Sequence, residues 1–256
     1  MAFIPDSRSY APGAAADTAV LDAGLRAYML RVYNWMTSGL LLTGVVAYTI
    51  ANTSLIDLFY HQVATPRGLS IQPTILGYAA IFAPLAFVLV LSFGVNRLSR
   101  TATQALFWAF AAAMGASIAN IFLIYSGASI ARVFFITSAT FGAMSIYGYT
   151  TKADLSRMGS FLIMGLIGVV IASVVNMFIG STALQFAISI IGVLVFVGLT
   201  AYDTQRIKGD YLQSAYAEGT DGAAKRAVFD ALSLYLNFIN LFMLLLQLFG
   251  NRSSNN

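Results

Sequence analysis

The chain has 256 residues, 59% of them hydrophobic and only 9% charged, with 14 Lys and Arg against 10 Asp and Glu for a net charge of +4. Soluble domains carry about 25% charged residues, so this sequence lacks the charge to cover an ordinary soluble surface and reads as an all-α, polytopic membrane protein. With no cysteine and a single histidine, His61, it has no material for disulfide frameworks, thiol chemistry, histidine triads or a zinc site.

In chain order, residues 1–26 open with "MAFIPDSRSYAPGAAADTAVLDAG", small and polar residues interrupted by Pro5 and Pro12. They read as a flexible tail rather than a signal peptide. Seven stretches then approach the roughly 20 apolar residues needed to cross a bilayer. They are Ala27–Ile50, Ile75–Val95, Ala102–Tyr125, Val133–Tyr149, Met158–Ile179, Thr182–Tyr202 and Ala231–Gly250. The fourth is short and crosses if its polar ends sit at the interfaces. The fifth and sixth form one uncharged run, too long for a single crossing, which the "IGST" turn at Ile179–Thr182 folds back. The reading is a seven-span membrane domain over 27–250 with a short exposed tail at 251–256, six and eight spans being the alternatives.

Lys and Arg divide the loops. Arg97 and Arg100, Lys152 and Arg157, and Arg206, Lys208, Lys225 and Arg226 fall on one side, with Arg67 and Arg132 on the other. The positive-inside tendency places the first set, and the N-terminus, in the cytoplasm and the C-terminus outside. These bases sit in short loops between apolar runs, so they read as topology signals and not as a nucleic-acid face. The partner this composition calls for is the lipid bilayer. His61 is expected to be a solvated loop residue. The small residues of "AFAAAMGASIAN" (Ala109–Asn120) and "GLIGVVIAS" (Gly165–Ser173) read as helix-packing seams. No repeat and no matched pair of broken spans suggests an inverted-repeat transporter.

Soluble-enzyme motifs are missing: there is no GxGxxG, P-loop, HExxH or GxSxG. No enzymatic activity is expected. Chemistry must reside in carboxylates, amides and hydroxyls. Asp203 closes the sixth apolar run in "VFVGLTAYDTQRIKGDY", ahead of Arg206 and Lys208. The bland reading is an exposed ion pair with Arg206 at i+3, worth under about 1 kcal/mol. The sharper one is an ionisable group facing the bundle interior on an ion or proton route. In the seventh span, "FDALSLYLNFINLF" puts Asp230, Ser233, Asn237 and Asn240 at spacings of three, four and three, on one helical face. That stripe suits either a polar pathway or interhelical glue.

"GLTAYDTQRIK" followed by "ALSLYLNFINLF" resembles the paired signature of the Bax inhibitor-1 family in its bacterial branch. "RVYNWMTSGLLLTG" (Arg31–Gly44) is similar to the family's first span, and "FFITSATFGAMSIYGYTTKADLSRMGSFL" (Phe134–Leu162) to its fourth span and the loop that follows. The resemblance runs from about residue 27 to 250. It implies a bacterial-type inner-membrane protein of seven helices, the last surrounded by the other six, acting as a pH-sensitive calcium leak. In some members two aspartates from the last two spans share a proton and gate the pore from the cytoplasmic side. Asp203 matches the first aspartate; Asn237 stands at the position of the second.

That departure has consequences. Two touching carboxylates cannot both ionise cheaply. An asparagine removes the repulsion and can donate a hydrogen bond to an ionised Asp203, while desolvation acts the other way. A weaker or acid-shifted pH response is expected. The resulting assignment makes Asp203 the gate carboxylate and a weak calcium contact, and Asn237 its hydrogen-bond partner. Asp230 is a charge at the cytoplasmic mouth, Arg206 the local counter-ion and Asn240 part of the pathway. No cofactor is expected beyond calcium as the permeant ion. The rival is a non-transporting scaffold or regulator that binds other membrane proteins, such as a quality-control protease. Hydrolysis by paired aspartates is disfavoured, because it needs two acids in one site.

Overall fold

A computed structural model describes residues 12–65, 68–94, 97–214 and 220–251. In order, the elements are α1 (Pro12–Ala51), α2 (Ile56–Phe59), β1 (Tyr60–Thr65), β2 (Gly68–Pro73), α3 (Ile75–Gly94), α4 (Arg100–Ile118), α5 (Ile121–Ile124), α6 (Gly127–Thr150), α7 (Ser156–Ile179), α8 (Thr182–Ser214) and α9 (Thr220–Phe249). Local chemistry sets several ends. Ser99 and Ser126 cap α4 and α6 by accepting from Ala102 N and Ser129 N. Gly180 ends α7 in the left-handed region, φ 66°, where a side chain would be strained. Asn176 completes that turn by accepting from Ser181 N at 3.0 Å. The "IGST" reversal is therefore where the sequence placed it.

Six helical segments are long and apolar enough to cross a membrane: α3, α4 with α5, α6, α7, α8 and α9. Seven were expected. The difference is α1, whose long run is diluted by Arg26, Arg31, Asn34, Thr37 and Ser38. Helix α1 also begins at Pro12, so residues 12–26, read as a tail, are helical. Residues 1–11 and 252–256 of the two expected tails lie outside the described residues. The first loop is not bare coil either. It folds into the β1–β2 antiparallel hairpin, with Tyr60 opposite Pro73 and exposed His61 opposite Gln72.

Helix α9 is the most enclosed: 61% of its apolar window is buried, against 17–33% in the other five candidate spans. Its main neighbours are α1, α4, α6 and α8, while α3 packs chiefly on α4 and α7 chiefly on α8. Close approach depends on glycine at two contacts. A Cβ on Gly148 would stand 2.2 Å from the Ala201 carbonyl oxygen, where α6 meets α8, and one on Gly115 would stand 2.7 Å from that of Thr43. Gly115 thus sits in a packing seam, as expected of its stretch. Gly168, in the other small-residue stretch, faces open space. At the α1–α4–α9 junction Tyr235, Phe107 and Phe110 are fully buried. Thr43 gives its proton to Ala111 O at 2.7 Å, so the Tyr235 hydroxyl donates to Thr43 Oγ1 at 2.6 Å.

Amides bind α8 to α9 at the end away from Asp203. Gln185 Nε2 donates to Gln247 Oε1 at 2.7 Å, and Ser189 Oγ reaches the same oxygen at 3.0 Å. Gln247 is exposed there and Ser189 buried, so the contact lies at the edge of the core.

Candidate functional site

Helix α8 does not stop at Asp203 but continues to Ser214. Asp203 therefore lies inside a helix rather than at its edge, and it turns inward with Thr200, Thr204 and Ile207, spaced three and four apart on one buried face. The two threonines satisfy their hydroxyls on their own helix, Thr200 to Phe196 O at 2.7 Å and Thr204 to Thr200 O at 2.8 Å. They leave the carboxylate to reach α9.

Asp203 is 7% exposed. Its Oδ2 accepts from Asn237 Nδ2 at 2.7 Å and from Ser233 Oγ at 3.1 Å. Its Oδ1 pairs with Arg206 Nη2 at 3.0 Å. Arg206 also donates to Ser233 Oγ at 3.3 Å, which closes a ring of three side chains with Asn237 attached to it through Asp203. The i+3 ion pair with Arg206 expected from the sequence exists, and its carboxylate is buried against α9 instead of exposed. The guanidinium remains 39% exposed, so the ring spans from solvent side to core.

The polar stripe of α9 divides. Ser233 and Asn237 meet Asp203. Asp230, 9% exposed, instead accepts from the Tyr28 hydroxyl of α1 at 2.5 Å. Asp230 is thus a buried anchor for α1 and not an open charge at the mouth; Arg206, Asp210 and Arg226 are the charged groups that bear on it. Tyr28 stacks on Tyr211 of α8, ring centroids 4.8 Å apart. Asn240 is not brought into the cluster. Its amide donates to Leu236 O of its own helix at 2.8 Å.

Among the described residues no three His, Cys, Asp or Glu side chains group to hold a metal. Ca²⁺ takes six to eight oxygens, and both oxygens of Asp203 are occupied by protein donors. A calcium contact at Asp203 would have to displace them. Past Asn237, the buried side chains of α9 are Phe238, Ile239, Leu241, Phe242, Leu245 and Leu246, all apolar. Tyr28 is the site residue that sequence reasoning missed, since nothing in α1 signals a partner 202 positions away.

Residues 25–254 match the family model described as "Inhibitor of apoptosis-promoting Bax1". The chain belongs to the Bax inhibitor-1 family. Among its relatives, "Inner membrane protein YbhL" of Escherichia coli K12 is 47% identical over 233 residues, covering 90% of this chain and 94% of its own. An uncharacterized protein, RP147, of Rickettsia prowazekii is 48% identical over 232 residues, covering 90% and 92%. One from Caulobacter vibrioides is 43% identical over 248 residues, covering 95% and 97%. The family match therefore applies to the whole helical domain that carries Asp203 and Asn237.

Proposed function

We propose that this family member is a seven-span inner-membrane protein that leaks cations such as Ca²⁺, with Asp203 as its proton-sensitive gate. The observation that carries the reading is the nearly buried Asp203 carboxylate, held across the α8–α9 seam by Asn237, Ser233 and Arg206. Ionised, it accepts from all three. Protonated, it loses the ion pair with Arg206, and one oxygen becomes a donor facing donors. The seam then loosens where the buried apolar stretch of α9 begins. Calcium as the permeant ion rests on the family resemblance.

Location and topology follow the same reasoning. The name of the Escherichia coli relative supports the inner membrane. Helix α1 is the seventh span in this reading, because Leu41, Val45 and Tyr48 are 70%, 54% and 59% exposed on it and need lipid. Seven crossings with the Arg100 and Arg206 side inward leave the N-terminus in the cytoplasm and the C-terminus outside.

Reconstitution in liposomes, with Ca²⁺ entry followed from acidic to neutral pH, tests the gate. Wild type should leak above empty vesicles and Asp203→Ala should lose the pH dependence. Identical traces for wild type, Asp203→Ala and empty vesicles would end the channel reading. A second reading, a non-transporting regulator of membrane-protein quality control, draws on the apolar recess of about 660 Å³ between α1 and α6, lined by residues such as Leu41, Tyr48, Phe134 and Phe141. Crosslinking in native membranes would then give one dominant, stoichiometric protein partner.

A further inference from the structure

A second recess, of about 620 Å³, lies between α1 and α4 and is lined by Leu30, Arg31, Asn34, Trp35, Ser38 and Trp108, among others. We propose that it binds the phosphate headgroup of an anionic phospholipid, with Arg31 as the principal contact.

Arg31 is exposed on α1, and the ion pairs among the described residues belong to Arg100 with Asp221 and Arg206 with Asp203. A guanidinium at the edge of a membrane span needs an anion or water to meet it. The recess supplies no carboxylate. Its side chains are rich in donors: five N–H on Arg31, the Asn34 amide and the two indole N–H groups. A planar guanidinium matches phosphate oxygens in a fork. The ligand selected is therefore an anion rich in acceptors.

Depth decides its source. Helices α1 and α4 run in parallel, Trp35 beside Trp108 with ring centroids 5.5 Å apart, and Thr43 beside Gly115. At about 1.5 Å per residue, Trp108 lies about 12 Å along α4 from Arg100, and Arg31 about 6 Å back along α1 from Trp35. Arg31 thus sits about 6 Å inside the level of Arg100, at the depth where phosphates and indole rings meet in a bilayer. Leu30 and the tryptophan faces offer apolar contact to the acyl chains beneath. Basic recesses between spans hold anionic headgroups by this chemistry. Arg26 differs in place: it lines an apolar recess on another face, between α1 and α6.

The test uses a convenient fact. The chain has two tryptophans, Trp35 and Trp108, and both line the recess, so all tryptophan emission reports on it. The full chain in detergent is titrated with phosphatidylglycerol carrying brominated acyl chains, with brominated phosphatidylcholine, and with inorganic phosphate as competitor. Phosphatidylglycerol should half-quench at an about fivefold lower mole fraction than phosphatidylcholine, the ratio one favourable cation–anion contact supplies near a membrane surface. Arg31→Gln should erase the preference and Arg26→Gln should keep it. If Arg31→Gln loses its helical signal, Asn34→Leu carries the test and should cut the preference by at least about twofold, the effect of one lost hydrogen bond. Equal quenching by the two lipids in wild type overturns the proposal. So does a preference that survives Arg31→Gln, or that survives Asn34→Leu where Asn34→Leu stands in. Protection by millimolar phosphate also overturns it and assigns the recess to a soluble anion.

Discussion

Asn237 Nδ2 lies 2.7 Å from Asp203 Oδ2, which joins two residues 34 positions apart and ties α8 to α9. An amide at that point can only give a hydrogen bond to an ionised carboxylate from its nitrogen; it adds no charge and takes no proton.

Asn237→Asp would set a second carboxylate against the first. Like charges in contact force one proton to be shared. Calcium flux in liposomes should then change more steeply with pH in this variant than in wild type, approaching about tenfold per pH unit for a single titrating switch. A superimposable pH profile would show that no proton is shared. Asp203→Asn should flatten the profile altogether.

The Tyr28–Asp230 bond supports a stability prediction. Tyr28→Phe keeps the stack on Tyr211 but removes the donor to a buried carboxylate. It should cost about 1–3 kcal/mol, the penalty for a buried acceptor left unpaired. In an Asp230→Leu background the same change should cost much less. Unfolding in mixed micelles, run as a double-mutant cycle, measures the coupling, and additive losses would show that the two groups do not interact.

Gly148→Ala places a methyl group against the Ala201 backbone at 2.2 Å, and a carbonyl cannot rotate away as a side chain would. A loss of about 1–3 kcal/mol is expected from such overpacking. Gly168→Ala, with nothing within 4 Å of the added atom, should be neutral. Thermal unfolding in detergent compares the two.

Tyr60 links the β1–β2 hairpin to α4 by donating to Ser117 O at 2.8 Å. Burial raises its phenol above the ordinary value of 10.0. A group whose folded pKa is raised contributes stability that is present below its unfolded pKa and lost as pH climbs through the folded one. Hairpin anchoring should therefore be constant through neutral pH and fail above about pH 10. Tyr60→Phe should remove that alkaline transition. Amide exchange in β1 and β2 follows both.

The apolar helices were legible because run length is a local signal, whereas the meeting of Asp203 with Asn237 was implied by the family resemblance, the local pattern offering only a carboxylate closing an apolar run and a polar stripe. Asn240 shares the face of Ser233, about 20° away around the helix, but lies about 10 Å farther along it. Its amide donates to Leu236 O of its own helix. The continuation of α8 past Asp203 was hidden because apolar length marks membrane crossing and not helix length; "TQRIKGDYLQS" is polar yet helical. Tyr28 gave no signal, since its partner comes from packing between α1 and α9.

Two rungs hold α8 and α9 at fixed height: Gln185 on Gln247 at one end, Asp203 on Asn237 at the other, each 2.7 Å long. Sliding one rod along the other by a full helical turn, about 5.4 Å, would pull both contacts out of hydrogen-bond range together. Axial slip is therefore barred while both rungs stand. Release of the Asp203 rung alone turns the remaining amide pair into a fulcrum, and tilt about Gln247 becomes the motion left to the pair.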